Sequence, residues 1–113
     1  MEVVAYGVTD VGCKRDHNED YMLVDEALGL FIVCDGMGGA LAGEVASQHC
    51  TQVVHGIIRQ HVDLISRFDA DPSADNRRAL CQLLEDAIQA ANAEIYEMSA
   101  EDPSKRGMGT TIV

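Results

Sequence analysis

Tyr21-Met-Leu-Val-Asp25 and Leu30-Phe-Ile-Val-Cys34, separated by Glu26-Ala-Leu-Gly29, are two β-type runs around a loop that ends in glycine. That pattern predicts an antiparallel hairpin. Pairing Asp25 with Leu30 sets the register 24:31, 23:32, 22:33 and 21:34, and the next pair is Asp20 with Asp35. Directly opposed residues on such a pair hold their Cβ atoms roughly 4.5–5.5 Å apart. Two like charges at that spacing repel unless a cation sits between them. With Glu19 beside Asp20, three carboxylates are expected to converge on one end of the sheet, the outline of a hard-cation site.

Outward from the hairpin, Val3-Val-Ala-Tyr-Gly-Val8 reads as a first strand and the polar stretch Thr9 to Asn18 as a loop. Gly36-Met-Gly-Gly39, followed shortly by Gly43, is too rich in glycine for regular structure. Ala46, Cys50, Val53, Val54, Ile57 and Ile58 then recur at helical spacing, predicting a helix to about Ser66. Phe68 to Asp75 is a turn-rich connection, and Asp75 is the expected N-cap of a second helix. Its apolar stripe is Leu80, Leu83, Leu84, Ala87, Ile88, Ala91, Ile95 and Met98. Pro103 lies beyond its end, and Gly107-Met-Gly-Thr-Thr-Ile-Val113 returns to β-type residues. Two helices can cover only one face of such a sheet. The other face needs a partner, so the sequence reads as part of a larger domain or as half of an oligomer.

At 113 residues there is room for one modest domain. Hydrophobic content of 47% against 24% charged residues indicates a globular chain, and without Trp its core must be aliphatic. Nineteen acidic residues against eight basic give a formal charge of −11, which argues against nucleic acid and anionic membranes as partners. Cys13, Cys34, Cys50 and Cys81 show no C-x-x-C spacing. Cys34 in an apolar strand and Cys50 and Cys81 on helical stripes are expected to be buried free thiols. No basic leader and no run of about eighteen apolar residues is present, so a reducing, cytoplasmic location is expected.

Asp35 closes a buried run and is followed at once by Gly36. A strand end fixes a carboxylate rigidly, and glycine lets its own carbonyl turn toward an ion. Oxygen donors of this kind suit Mg²⁺ or Mn²⁺, not zinc. Arg15, four residues before Glu19, offers a planar fork for phosphate oxygens. A cation beside a divalent-metal cluster is what phosphoryl transfer needs. The glycine loop matches neither the P-loop nor the dinucleotide-binding spacing. His49, His55 and His61 are six apart along one helix and do not share a face, which leaves His17 as the histidine placed to reach a phosphate.

Thr9-Asp-Val-Gly12, Arg15-Asp-His-Asn-Glu-Asp20, Val33-Cys-Asp-Gly-Met-Gly-Gly39, Gly43-Glu-Val-Ala-Ser47 and Gly107-Met-Gly-Thr-Thr-Ile-Val113 together resemble the first motifs of metal-dependent serine/threonine protein phosphatases of type 2C, in their order. The Asp-Gly-Met-Gly-Gly form resembles the bacterial branch. The resemblance implies an α+β fold, an α-β-β-α sandwich of antiparallel sheets flanked by helices. Residues 1–113 would be the N-terminal part, about the first half, of one catalytic domain. It implies a centre of two or more Mn²⁺ or Mg²⁺ ions, with Asp35 bridging, the Gly36 carbonyl binding one ion, and Glu19 and Asp20 holding ions largely through water. Arg15 would take the substrate phosphate, making Arg15, Asp20 and Asp35 the catalytic set. A metal-activated water would attack phosphoserine or phosphothreonine without a covalent intermediate. Partners would be phosphorylated signalling proteins and a cognate kinase or its substrates.

Two departures from the family pattern stand out. Some members carry a His just after the Asp-Gly pair, proposed as a general acid; here that position is Met37. Further metal-binding aspartates come from the family's second half, outside this sequence. A truncated, non-catalytic phosphatase-like binding or regulatory module is therefore the alternative, and a plain cation-binding domain, in which Arg15 has no role, a third.

Overall fold

The hairpin forms with the register its sequence dictates. In the computed structural model, which describes residues 19–38 and 41–113, strand β1 (Asp20–Asp25) pairs antiparallel with β2 (Leu30–Met37) from Asp25↔Leu30 to Asp20↔Asp35. The turn is held locally. Asp25 Oδ1 accepts the Leu28 N–H at 3.1 Å, and Gly29 takes a positive φ of 68° that other residues adopt at a cost. The strand expected at Val3–Val8, the loop to Asn18, Cys13, Arg15, His17 and Gly39 lie outside the described residues.

β3 (Gly109–Thr110) adds to the free edge of β2, giving the order β1-β2-β3 among the described residues. Its pairing runs on past Thr110, because Val33 and Val113 exchange two backbone hydrogen bonds of 2.9 Å each. Side chains alternate cleanly along β2. Ile32, Cys34 and Gly36 are buried, whereas Val33 is 50% and Met37 56% exposed. One sheet face is therefore core and the other open, as the sequence requires of a sheet with helices on one side.

Helix α1 (Ala42–Arg59) lies on the closed face and buries Ala46, Cys50, Val54 and Ile58 against Ile32 and Cys34. The long helix α3 (Ala74–Glu101) packs along α1 through Leu83, Ala87, Ala91 and Ile95, a four-residue seam whose two alanines let the axes approach. Two polar residues are buried inside α1. Ser47 donates to Glu44 O at 3.1 Å, and the Thr51 hydroxyl is shared between Ser47 O at 2.9 Å and Cys34 Sγ at 3.3 Å. The Cys34 and Cys50 thiols also meet in this core. The Cys50 thiol, aided by the Thr51 hydroxyl, draws the Cys34 thiol below its ordinary range, while the same partner and burial push Cys50 up.

Four expectations are corrected. The first helix does not run to Ser66. It stops at Arg59, His61 leaves helical geometry at φ −123°, and α2 (Val62–Ala70) begins after it. The buried stripe of α1 ends at Ile58, and the break brings Leu64 and Ile65 back against the core. The connection expected over 68–75 shrinks to 71–73, with helix on both sides. Ser73, not Asp75, caps α3: its extended backbone lets Oγ accept the Asn76 N–H at 3.2 Å, while Asp75 sits in the first turn and pairs with Arg78 at 3.3 Å. Finally, Leu84, Ile88 and Cys81 are exposed, because α1 covers a narrower face of α3 than the apolar pattern marks out.

Candidate functional site

Asp35 stands between two buried residues, so strand alternation aims its side chain at the open face, and Asp20 faces it across the hairpin on that same face. The predicted carboxylate pair is thus formed. Glu19 does not join it. It precedes β1, and its carboxylate packs against Gly43 at the start of α1. Among the described residues no three His, Cys, Asp or Glu side chains gather closely enough to hold a metal ion. The expected convergence of three carboxylates is therefore corrected to a facing pair with Glu19 behind it.

The glycines around the pair have steric roles that spacing alone did not reveal. Gly36 donates its N–H to Glu19 O at 3.1 Å, and α1 begins directly against it. A Cβ at Gly36 would collide with the Gly43 carbonyl and come within 2.7 Å of Glu19 O. Gly38 adopts φ 137°, where a Cβ would lie 2.9 Å from Met108 Cα. Close backbone approach explains this loop without a nucleotide.

Thr111 is the neighbour that sequence reasoning missed. Its N–H donates to Asp35 O at 2.9 Å, and the Asp35 N–H donates to Thr111 Oγ1 at 3.2 Å. A side-chain oxygen thus accepts a bond that a regular ladder gives to a carbonyl. The signal was present in the β-type run Thr110-Thr-Ile-Val113, but its register against β2 was not derivable from spacing. The other histidines among the described residues stand elsewhere. His55 Nε2 lies 2.9 Å from Asp25 Oδ2, His49 lies 3.4 Å from Glu94, and His61 Nδ1 lies 2.9 Å from the Ile57 carbonyl oxygen. The His55 hydrogen bond, with the Leu28 N–H, holds the Asp25 carboxyl below its ordinary range.

The donor set fits a hard divalent cation in chemistry. Two carboxylates share one sheet face, and the neighbouring Cys34 thiol points the other way into the core. Met37, exposed on that face, has no proton to give.

No family model matches the chain. It is 33% identical over 108 residues to the serine/threonine phosphatase stp of Listeria monocytogenes, covering 93% of this chain and 39% of that protein. To the serine/threonine protein phosphatase PstP of Mycobacterium tuberculosis it is 35% identical over 104 residues, covering 92% of this chain and 17% of the relative. A putative protein phosphatase 2C-type of Streptococcus pyogenes is 35% identical over 107 residues, with 92% and 39% covered. Among solved structures, the PPM Ser-Thr phosphatase MsPP from Mycobacterium smegmatis, in complex with cacodylate, superposes with a TM-score of 0.64 at 27% identity over 99% of this chain and 39% of its own. The M. tuberculosis phosphatase PstP/Ppp gives 0.62 at 34% identity, over 91% and 37%. By sequence and by its α+β fold the chain is related to type 2C, or PPM, serine/threonine phosphatases, and it spans two fifths or less of the length of these relatives.

Proposed function

We propose that this chain carries part of the catalytic domain of a metal-dependent phosphatase that hydrolyses phosphoserine and phosphothreonine in proteins. The observation that carries this reading is the Asp20↔Asp35 pair at the end of the hairpin, in a fold related to PPM phosphatases. Asp20 and Asp35 would hold Mn²⁺ or Mg²⁺, with the Gly36 carbonyl at the rim, Glu19 acting from behind the pair through water, and Arg15 binding the substrate phosphate. Bound ions would supply an activated water and offset the charge that develops on the phosphoryl group. The chain's own part is to fix Asp35. Its strand is clamped between β1 and β3, its N–H is held by Thr111, and Gly36 seats α1 beneath it. The substrates would be phosphorylated signalling proteins, with a cognate kinase as the opposing activity, in the cytoplasm. Among the described residues no helix is long and apolar enough to cross a membrane.

The facing pair, with no third carboxylate gathered to it among the described residues, supports a second reading, a non-catalytic phosphatase-like module that binds phosphoproteins. One experiment separates the two. Mn²⁺-dependent phosphate release from a phosphothreonine peptide is measured for the chain, Asp35→Asn and Arg15→Ala, alongside Mn²⁺ and phosphopeptide binding. Release that requires metal, Asp35 and Arg15 supports the enzyme. Phosphopeptide binding that depends on Arg15 without release supports the module, and absence of both refutes the two together.

A further inference from the structure

We propose that Cys34 and Cys50 form a thiol pair that peroxide closes to a disulfide, tying β2 to α1 one residue from Asp35. Both thiols are free, and they are 0% and 4% exposed. Both belong to the one buried cluster formed where α1 packs on β2. Thr51, the residue after Cys50, places its hydroxyl 3.3 Å from Cys34 Sγ and so fixes the alignment of helix on strand at this point. The packing around them is aliphatic, from Ile32, Ala46, Val54 and Met108.

An oxidant has a route to this pair. Cys50 lines a cleft of about 350 Å³ between α3 and β3, open to solvent, whose wall includes Asn92 and Thr110. A small neutral molecule such as hydrogen peroxide fits there and finds polar groups to hydrogen-bond. In the first step one thiol sulfur attacks a peroxide oxygen. The O–O bond breaks, the thiol is oxidised to sulfenic acid and one water leaves. In the second, the other thiol sulfur attacks the sulfenic sulfur, the S–O bond breaks, its proton goes to the departing oxygen, and a second water leaves with the disulfide formed. Two thiols and one peroxide thus give one disulfide and two waters. Cys81, exposed on α3, has no thiol partner among the described residues.

The consequence lies on the neighbouring residue. Cys34 and Asp35 point to opposite faces of one strand, so a covalent tie from Cys34 to α1 fixes the backbone that carries Asp35. α1 already presses on Gly36 through Gly43, and the new bond would lock that contact.

The test is peptide mapping of the whole chain under non-reducing conditions after hydrogen peroxide treatment, on the wild type and on Cys50→Ser, Cys50→Ala and Cys81→Ser. The expected result is a linked peptide joining Cys34 to Cys50, two hydrogens lighter than its reduced parts. It should revert with dithiothreitol, persist in Cys81→Ser, be absent from both Cys50 variants, and raise the melting temperature by several degrees. Circular dichroism of the Cys50 variants confirms that they fold, and if neither does, the wild type and Cys81→Ser decide. Cys34 and Cys50 that stay alkylatable after oxidation would overturn the proposal. So would over-oxidation of either sulfur without a link, or a link made to Cys13 instead.

Discussion

Replacing Gly36 by alanine should destabilise the protein more than any other single added methyl group in the hairpin. The new Cβ would meet the Gly43 carbonyl oxygen, lie 2.6 Å from the Gly43 carbonyl carbon and 2.7 Å from Glu19 O. All three atoms are backbone, so no side chain can swing aside. Either the first turn of α1 must lift off β2 or the Glu19 end of β1 must move. Overpacking that shifts backbone costs typically 1–3 kcal/mol, and three backbone atoms at once place this case at about 3 kcal/mol or above. With a urea dependence of roughly 1–3 kcal/mol per molar, the midpoint should fall by about 1.5 M. Gly56→Ala is the matched control. It adds the same methyl group in the same helix that Gly36 supports, but nothing lies within 4 Å of it, so it should stabilise by about 0.5–1 kcal/mol. Urea melts followed by circular dichroism at fixed pH measure both. A Gly36→Ala midpoint within about 0.3 M of wild type, roughly 0.5 kcal/mol, would refute the steric account of the glycine.

The carboxylate pair makes a second prediction, read by calorimetry with and without millimolar Mn²⁺. An ion held well above its dissociation constant should raise the melting temperature by roughly 10 °C. Asp35→Asn should abolish most of that shift while making the metal-free protein melt slightly higher through relief of repulsion from Asp20. An undiminished shift in the variant would remove Asp35 from the site. The Asp25–His55 pair sets part of the acid limb. Because the Asp25 carboxyl is lowered from its ordinary 3.8, chiefly by the His55 hydrogen bond, protons bind the unfolded chain more readily. Its contribution is therefore present above that value and lost as pH falls through the lowered one. Asp25→Asn should flatten the decline of stability below about pH 4, and urea midpoints across pH 2–6 that fall as steeply as in wild type would contradict this.

The hairpin and its opposed aspartates were legible from spacing because strand alternation has a fixed period and a four-residue loop leaves one register. The apolar stripe of α1 was legible for the analogous reason at helical period. By itself the sequence determined the two periodicities, the aliphatic core, the acidic charge and the motifs that resemble a type 2C phosphatase. Tertiary structure decided what periodicity cannot encode. The helix breaks after Arg59 because the core, not local propensity, dictates where Leu64 and Ile65 must go. Glu19 packs back against Gly43 while its neighbour Asp20 faces Asp35, because α1 is seated at that end of the hairpin. Gly36 is needed because α1 lands on it, and Thr111 reaches Asp35 because β3, distant in sequence, completes the sheet beside it. Each of these depends on contacts between segments far apart in the chain, and such contacts are set by the packing of whole elements, which no local pattern of residues contains.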